Sequence, residues 1–206
     1  MVWCGAAAAV KIIALPAVAF FILQKGWLRR TCVFGLTVAA LYAPFLLQGS
    51  SADWEGLRVF GKYWEFNSAL YAILKWMLNP AVARIGGMLI FAAVFYWLLR
   101  RYWSSKDSEP PFDVLFGLFF LASPVINPWY LQWLLPFAAM RPRFWSVTAL
   151  AVVSLSYVTG YNLGDPSLYA YAHPVWLRPL EFGLIGLAVG LDVLWKRTEE
   201  PSEIDG

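Results

Sequence analysis

The chain has 206 residues, of which 60% are hydrophobic and only 14% are charged. A soluble domain of this size cannot bury so much apolar surface, whereas a lipid bilayer requires it. The net charge of +3 does not indicate a nucleic-acid partner, and one His and two Cys exclude an obvious metal cluster.

Seven apolar runs are candidates for membrane-spanning helices, since about 20 apolar residues cross the hydrocarbon layer. In chain order they are residues 5–23, 31–47, 81–99, 112–126, 129–140, 144–161 and 180–195. The run 129–140 is too short for an ordinary span, so we expect a short helix inside the bundle or a re-entrant segment. The predicted fold class is all-α, a polytopic transmembrane helix bundle of about seven spans.

Lys and Arg concentrate in every second connection between these runs. The richer set contains Lys25, Arg29, Arg30, Arg100, Arg101, Lys106, Arg141, Arg143, Lys196 and Arg197, and the poorer set contains Arg58, Lys62, Lys75, Arg84 and Arg178. Because basic residues accumulate on the cytoplasmic side, the richer set predicts that side. The N-terminus is then external and the C-terminus cytoplasmic, in a bacterial-type plasma membrane.

The predicted organisation is a bundle over residues 1–197 with two long external loops, 48–79 and 162–178, and a polar cytoplasmic tail over 198–206. The first apolar run has no basic residue before it, which argues against a cleaved signal peptide. Because almost nothing precedes that run, we expect the chain to be the C-terminal part of a longer protein.

The first external loop contains the polar segment DWEGLRVFGKYWEFNSALY. Its acidic members, Asp53, Glu55 and Glu65, are candidates for a general base or for metal binding, and Lys62 and Asn67 are candidates for substrate binding. For each residue alone, a solvated loop is the simpler interpretation. An apolar stripe follows, at Leu70, Ile73, Leu74, Met77 and Leu78, and predicts a short helix in the membrane surface with Ser68 as its cap.

Lys11 lies inside the first apolar run, where an ionisable side chain costs a few kcal/mol and is a functional candidate. It can bind a lipid phosphate below the external surface, or it can extend its ammonium group to the interface. Pro16, one turn further on, is expected to kink this helix.

The segment SPVINPWYLQWLLPFA is interrupted by Pro124 and Pro128 where it reaches the external surface. Broken backbone at membrane depth is tolerated where protein or a watery cavity covers it, which predicts a cavity lined by this segment. Its candidate substrate-binding residues are Asn127, Trp129, Tyr130 and Trp133. A belt of interfacial aromatic side chains around a tight turn is the alternative.

The second external loop contains the only histidine, His173, followed by Arg178 and Glu181. His173 can move a proton or contact a phosphate, although a single loop histidine often does neither. Arg178 is the better candidate for binding a phosphate.

Three of these segments resemble motifs of the GT-C glycosyltransferases, in particular bacterial mannosyltransferase-like members. INPWYLQWLLPFA resembles their "hPWYl-WllPf" segment, YWEFNSALYAILK their "W-FNsslY" external segment, and AAAAVKIIALPAVAFFI their "a-lKy-pllllP" helix. The three motifs extend over residues 6–138, and they occur in the family's order and on the predicted membrane sides.

This resemblance implies an enzyme that takes a sugar, for example mannose, from a polyprenyl-phosphate carrier and transfers it to a glycan or lipid acceptor at the external face. Lys11 and Arg178 then suit the carrier phosphate, and the aromatic residues around Trp129 suit the sugar or the isoprenoid. An external carboxylate deprotonates the acceptor hydroxyl. Participation of a divalent metal is left open.

The chain departs from the family in one respect, because no helix and acidic loop precede residue 5. Either that catalytic part is missing, or Asp53, Glu55 or Glu65 replaces it. Two other functions remain open at this stage: a transporter or flippase of a lipid-linked sugar, and a non-catalytic membrane subunit.

Overall fold

A computed structural model describes residues 1–47, 52–105, 109–162 and 174–199. The described residues form helices and connecting turns, which confirms the all-α prediction. The backbone divides into two compact units, one made of Met1–Trp64 and Ala92–Leu115 and the other of Glu65–Phe91 and Phe116–Gly206.

Ten α-helices occur in the described residues, and the prolines determine several of their ends. In chain order they are α1 Val2–Val10, α2 Leu15–Ile22, α3 Trp27–Leu47, α4 Ala52–Tyr63, α5 Leu70–Met77, α6 Pro80–Ser104, α7 Phe112–Ala122, α8 Leu135–Met140, α9 Phe144–Val152 and α10 Leu177–Glu199. Short 3-10 helices occupy Ile12–Ala14, Pro128–Trp133 and Val153–Asn162.

Two of these helices, α3 and α6, are long and apolar enough to cross a membrane. They contain the predicted runs 31–47 and 81–99 and extend beyond one or both of their ends. Two local features explain why α6 begins at Pro80. Proline suits the first helical position, and the Asn79 Oδ1 accepts a 2.9 Å hydrogen bond from the Val82 N–H.

Most of the other runs are shorter or interrupted in the structure, whereas the run 180–195 lies within the continuous helix α10, Leu177–Glu199. The predicted continuous span over 5–23 is wrong. The helix stops at Lys11, whose backbone is extended, and a new helix, α2, begins at Leu15. Pro16 explains the interruption, because proline lacks an N–H and its ring clashes with the carbonyl four residues earlier. The run 112–126 ends early, at Ala122, since Pro124 disfavours helical backbone at Ser123.

Two helices also fall inside the predicted loop 48–79. The expected short helix is α5, but Ser68 does not cap it: the N-cap residue is Ala69, with no side-chain cap hydrogen bond. The second, α4, was not predicted from the sequence. Most of the loop 162–178 and of the tail 198–206 lies outside the described residues.

Close packing in the first unit joins α1 to α3. A Cβ atom at Gly5 would lie 2.8 Å from Thr37 Cβ and 3.1 Å from the Phe34 carbonyl oxygen, so only glycine permits this approach. Phe20 of α2 is fully buried and packs edge-to-face against Phe112, with ring centroids 5.8 Å apart. Aromatic pairs of this kind add stability beyond the area that they bury.

The second unit is organised around the pair α9 and α10. The Asp192 carboxylate of α10 accepts 2.9 Å hydrogen bonds from the backbone N–H groups of Phe144 and Trp145. These N–H groups belong to the first turn of α9, which has no helical acceptors for them. An acidic group at a helix N-terminus also interacts favourably with the helix dipole.

Gly117 of α7 makes room for the indole ring of Trp145. A Cβ atom at Gly117 would lie 2.6 Å from Trp145 Cη2, closer than side chains tolerate, and the Trp145 backbone is held by Asp192. We therefore expect Gly117→Ala to lower the stability of the protein in detergent by about 1–3 kcal/mol, as measured by thermal unfolding.

Gly186→Ala in α10 is the matched control, because a Cβ atom there has nothing within 4 Å. This variant is expected to be neutral or to gain up to about 1 kcal/mol from helix propensity. Equal effects of the two substitutions would contradict the close packing of Gly117 against Trp145.

Candidate functional site

The site begins where two separate motifs pair through their backbones in the second unit. The Phe66 N–H donates to the Pro124 carbonyl at 3.1 Å, and the Ile126 N–H donates to the Phe66 carbonyl at 2.8 Å. This single parallel bridge aligns residues 65–68 with residues 124–127. The predicted candidates Glu65, Asn67 and Asn127 therefore lie on adjacent stretches of chain.

Asn67 is buried and has a left-handed backbone, with φ of 48°. Asparagine adopts this conformation more readily than other residues that carry a side chain. Its Nδ2 donates a 2.7 Å hydrogen bond to Oε2 of Glu181, and both side chains are fully buried. Hydrogen bonds that involve a carboxyl group are strong in such a setting, so this one ties the N-terminal part of α10 to residues 65–68.

Three oxygen atoms in this region are buried and accept no hydrogen bond from the described residues. They are Asn67 Oδ1, Ser68 Oγ and Glu181 Oε1. The Glu181 carboxyl as a whole accepts a backbone hydrogen bond from Ser156 in addition to the one from Asn67, and it interacts favourably with the charge of Arg178. Buried polar atoms are nearly always paired in proteins, so three such atoms on Asn67, its chain neighbour Ser68 and its partner Glu181 require an explanation.

A partly exposed ion cluster adjoins this buried group. Glu65 Oε2 lies 2.5 Å from Lys75 Nζ, in the last turn of α5, and Glu65 Oε1 lies 4.0 Å from an Arg178 guanidinium nitrogen. The exposed fractions of the side chains are 43% for Lys75, 33% for Arg178 and 21% for Glu65. Two cations converge on the Glu65 carboxylate, and a phosphate group is an anion that can take the place of this carboxylate as their partner.

The aromatic segment forms a 3-10 helix that begins after the buried Asn127. Its Tyr130 and Trp133 rings stack with centroids 5.1 Å apart, and Trp133 also stacks on Phe120 at 6.4 Å. Trp129 packs edge-to-face on Tyr130 at 6.0 Å and remains 50% exposed. Of the predicted sugar-binding aromatics in this segment, Trp129 thus has the most accessible ring.

Other predicted residues belong to the first unit. Glu55 pairs with Arg58 at 2.8 Å on the exposed surface of α4, and Lys62 lies over the Tyr63 ring at 5.1 Å. Lys11 is exposed at the C-terminal end of α1. The Asp53 side chain and all of His173 lie outside the described part of the structure.

Sequence reasoning did not select Glu181, Lys75 or Ser68 as site residues. A usable signal existed for Glu181, which is a single carboxyl group at the beginning of the predicted apolar span 180–195, where ionisable groups are rare and often functional. Lys75 was counted only as a topological charge. Ser68 was predicted as a helix cap, and the structure instead buries it next to the left-handed Asn67.

Within the described ranges, no group of three or more His, Cys, Asp and Glu side chains is placed to hold a metal ion.

Comparison with known proteins gives one finding. The family model of the MptB C-terminal domain matches residues 68–173, from Ser68 through the aromatic segment to the second predicted loop. No curated protein and no solved structure matches the chain. Glu65, Asn67, Arg178 and Glu181 lie just outside the two ends of the matched range.

Proposed function

The chain belongs to the family of the MptB C-terminal domain, which is mannosyltransferase-like, and on this premise we propose that it acts in a membrane glycosyltransferase of the GT-C type. The proposed reaction transfers mannose from a polyprenyl-phosphate carrier to a glycan or lipid acceptor at the external face. The family match, combined with the ion cluster of Glu65, Lys75 and Arg178, supports this proposal most directly.

The proposed architecture is a multi-pass bundle of about seven spans with a cytoplasmic C-terminus. The alternation of basic connections along the chain supports it. The helices α3 and α6 supply two spans that are long enough, and the shorter apolar helices α7 and α9 are consistent with spans shielded by their neighbours.

We assign the carrier phosphate to Lys75 and Arg178. Both side chains are partly exposed and already converge on an anionic group, the Glu65 carboxylate. A guanidinium group can bind a phosphate with two parallel hydrogen bonds, and an ammonium group adds a mobile positive charge. In this assignment the phosphate replaces Glu65 as their partner.

The proposed chemical step is an inverting displacement. The acceptor oxygen forms a bond to C1 of mannose, the bond from C1 to the phosphate oxygen breaks, and polyprenyl phosphate leaves with the bonding electrons. The acceptor hydroxyl proton passes to a carboxylate. We assign this role to Glu65, because it is the predicted acid that lies beside the proposed phosphate site and because phosphate binding releases its two oxygens.

The proposed sugar platform is Trp129, whose ring is half exposed on the segment that pairs with residues 65–68. We expect Trp129→Ala to lower the transfer rate by about tenfold or more, since loss of the apolar contact between an indole ring and the C–H face of a sugar costs about 1.5–3 kcal/mol. The measurement uses membranes that contain the protein, with labelled mannose on polyprenyl phosphate and a glycan acceptor.

Tyr63→Ala is a matched aromatic control, because Tyr63 is exposed on α4 and lies outside the proposed site. Lys11→Ala tests Lys11, which the sequence predicted, together with Arg178, to bind the carrier phosphate. Unchanged transfer in Trp129→Ala would overturn the sugar platform. Movement of label across sealed vesicles without a new glycosidic bond would instead identify a flippase and overturn the proposed function.

A further inference from the structure

The three buried oxygens of Asn67, Ser68 and Glu181 are mainly acceptors that have no donor in the described part of the chain. An amide oxygen only accepts hydrogen bonds, and a serine hydroxyl both accepts and donates. The Asn67 amide nitrogen donates to Glu181 Oε2, and neither Ser68 Oγ nor Glu181 Oε1 receives a hydrogen bond from it in the structure. A ligand that suits the set therefore carries O–H groups, as a polyol does.

Because Glu181 lies near Arg178, the three oxygens are suited to a polyol that is attached to a phosphate. Arg178 and Glu181 are three residues apart on α10, which is about 4.5 Å of helix rise. In a lipid-linked sugar, the sugar ring is bonded directly to the phosphate. A phosphate on Arg178 and Lys75 thus brings the sugar hydroxyl groups of the same molecule within reach of Glu181 and its neighbours.

We propose that Asn67, Ser68 and Glu181 form a subsite for the hydroxyl groups of the donor sugar, adjacent to the phosphate site at Lys75 and Arg178. This inference rests on the proposed function, and it adds a specificity element to it. The carrier is then recognised in two parts, with cations for the phosphate and buried oxygens for the hexose. A lipid phosphate without a sugar uses only the first part.

The subsite is closed in the structure, since Asn67, Ser68 and Glu181 are each at most 1% exposed, and it must open to admit a sugar. In this proposal a hydroxyl group reaches the three oxygens when residues 65–68 and the N-terminal part of α10 separate slightly. The same displacement is available when the phosphate draws Arg178 away from Glu65, because Arg178 and Glu181 lie three residues apart on the same helix. Phosphate binding and sugar recognition are therefore coupled through α10.

The test compares two labelled lipids, polyprenyl-phosphate mannose and sugar-free polyprenyl phosphate, by equilibrium binding to the protein in nanodiscs. Ser68→Ala is expected to weaken binding of the mannose-bearing lipid about three- to tenfold, the effect of one lost hydrogen bond, with unchanged binding of the sugar-free lipid. Because this variant removes a buried unpaired hydroxyl, its thermal stability is expected to be equal to or higher than that of the parent.

Ser146→Ala is the control, because the Ser146 hydroxyl is also buried but is paired with the Arg143 backbone. It is expected to lower stability and to leave the binding of both lipids unchanged. A third measurement, competition of methyl α-mannoside with the labelled lipids, distinguishes a donor sugar from an acceptor sugar. If Ser68→Ala changes only this competition, the subsite binds the hydroxyl groups of an acceptor sugar and the donor assignment is overturned.

The failures of the two proposals are distinguishable. If the parent protein binds neither lipid, the proposed function fails regardless of Ser68. If the parent binds both lipids and Ser68→Ala weakens both equally, or weakens neither, then the phosphate site stands and the sugar subsite is overturned.

Discussion

Arg178→Gln is expected to reduce mannose transfer by about 10²–10³-fold, mainly through the turnover rate. The phosphate leaves with increasing negative charge as the glycosidic bond breaks, so a fixed cation beside it stabilises the transition state more than the bound substrate. Arg178 lies on the first turn of α10, with one guanidinium nitrogen 4.0 Å from Glu65. Steady-state kinetics with labelled polyprenyl-phosphate mannose provide the measurement.

Two variants control this prediction. Arg178→Lys retains the charge but loses the planar pair of donors, so it is expected to recover part of the rate. Arg58→Gln removes an exposed arginine that also pairs with a glutamate, at 2.8 Å, and is expected to leave transfer unchanged. An Arg178→Gln enzyme with the parent's rate would contradict the phosphate assignment, as would equal losses in Arg58→Gln.

Glu181→Ala is expected to destabilise the protein by about 1–3 kcal/mol, because it leaves the buried Asn67 amide without its acceptor. Removal of the larger side chain from a fully buried position also leaves a cavity, which adds to the loss. Thermal unfolding of the purified protein in detergent measures the effect. Transfer activity is expected to fall as well, since Glu181 belongs to the proposed sugar subsite.

Glu181→Gln separates the hydrogen bond from the charge of the carboxyl group. A glutamine oxygen can still accept from Asn67 Nδ2, so most of the stability is expected to return. Glu55→Ala is the control for an exposed glutamate, whose ion pair with Arg58 contributes at most about 1 kcal/mol. If Glu181→Ala and Glu55→Ala unfold at the same temperature, the buried couple does not stabilise the fold.

Much of the helical structure could be predicted from local patterns. Long apolar runs indicated α3 and α6, because hydrophobicity acts within a few residues of the chain. The predicted run 112–126 extended past Pro124, whereas α7 ends at Ala122. The helix α4 was missed, since its polar sequence, ADWEGLRVFGKY, has the composition of a loop. The interruption at Lys11 was anticipated only as a kink at Pro16.

The candidate site could be predicted in part. Glu65, Asn67, Arg178 and the aromatic segment were selected because ionisable, amide and aromatic side chains stand out in an apolar chain. The sequence did not predict which of these residues lie together in the structure. Lys11 and Lys62 were equally prominent in the sequence, yet they lie in the first unit, whereas the unselected Lys75 pairs with Glu65.

Composition alone established an apolar, helix-rich chain with polar groups concentrated in a few connections, because hydrophobicity and proline act locally and are visible in any short window. Only the tertiary structure decided which polar groups meet. The hydrogen bond from Asn67 to Glu181 joins residues 114 positions apart, and no local periodicity encodes such a pairing. It depends on how residues 65–68, the Pro124 turn and α10 pack together, and that packing also encloses the three oxygens assigned to the sugar.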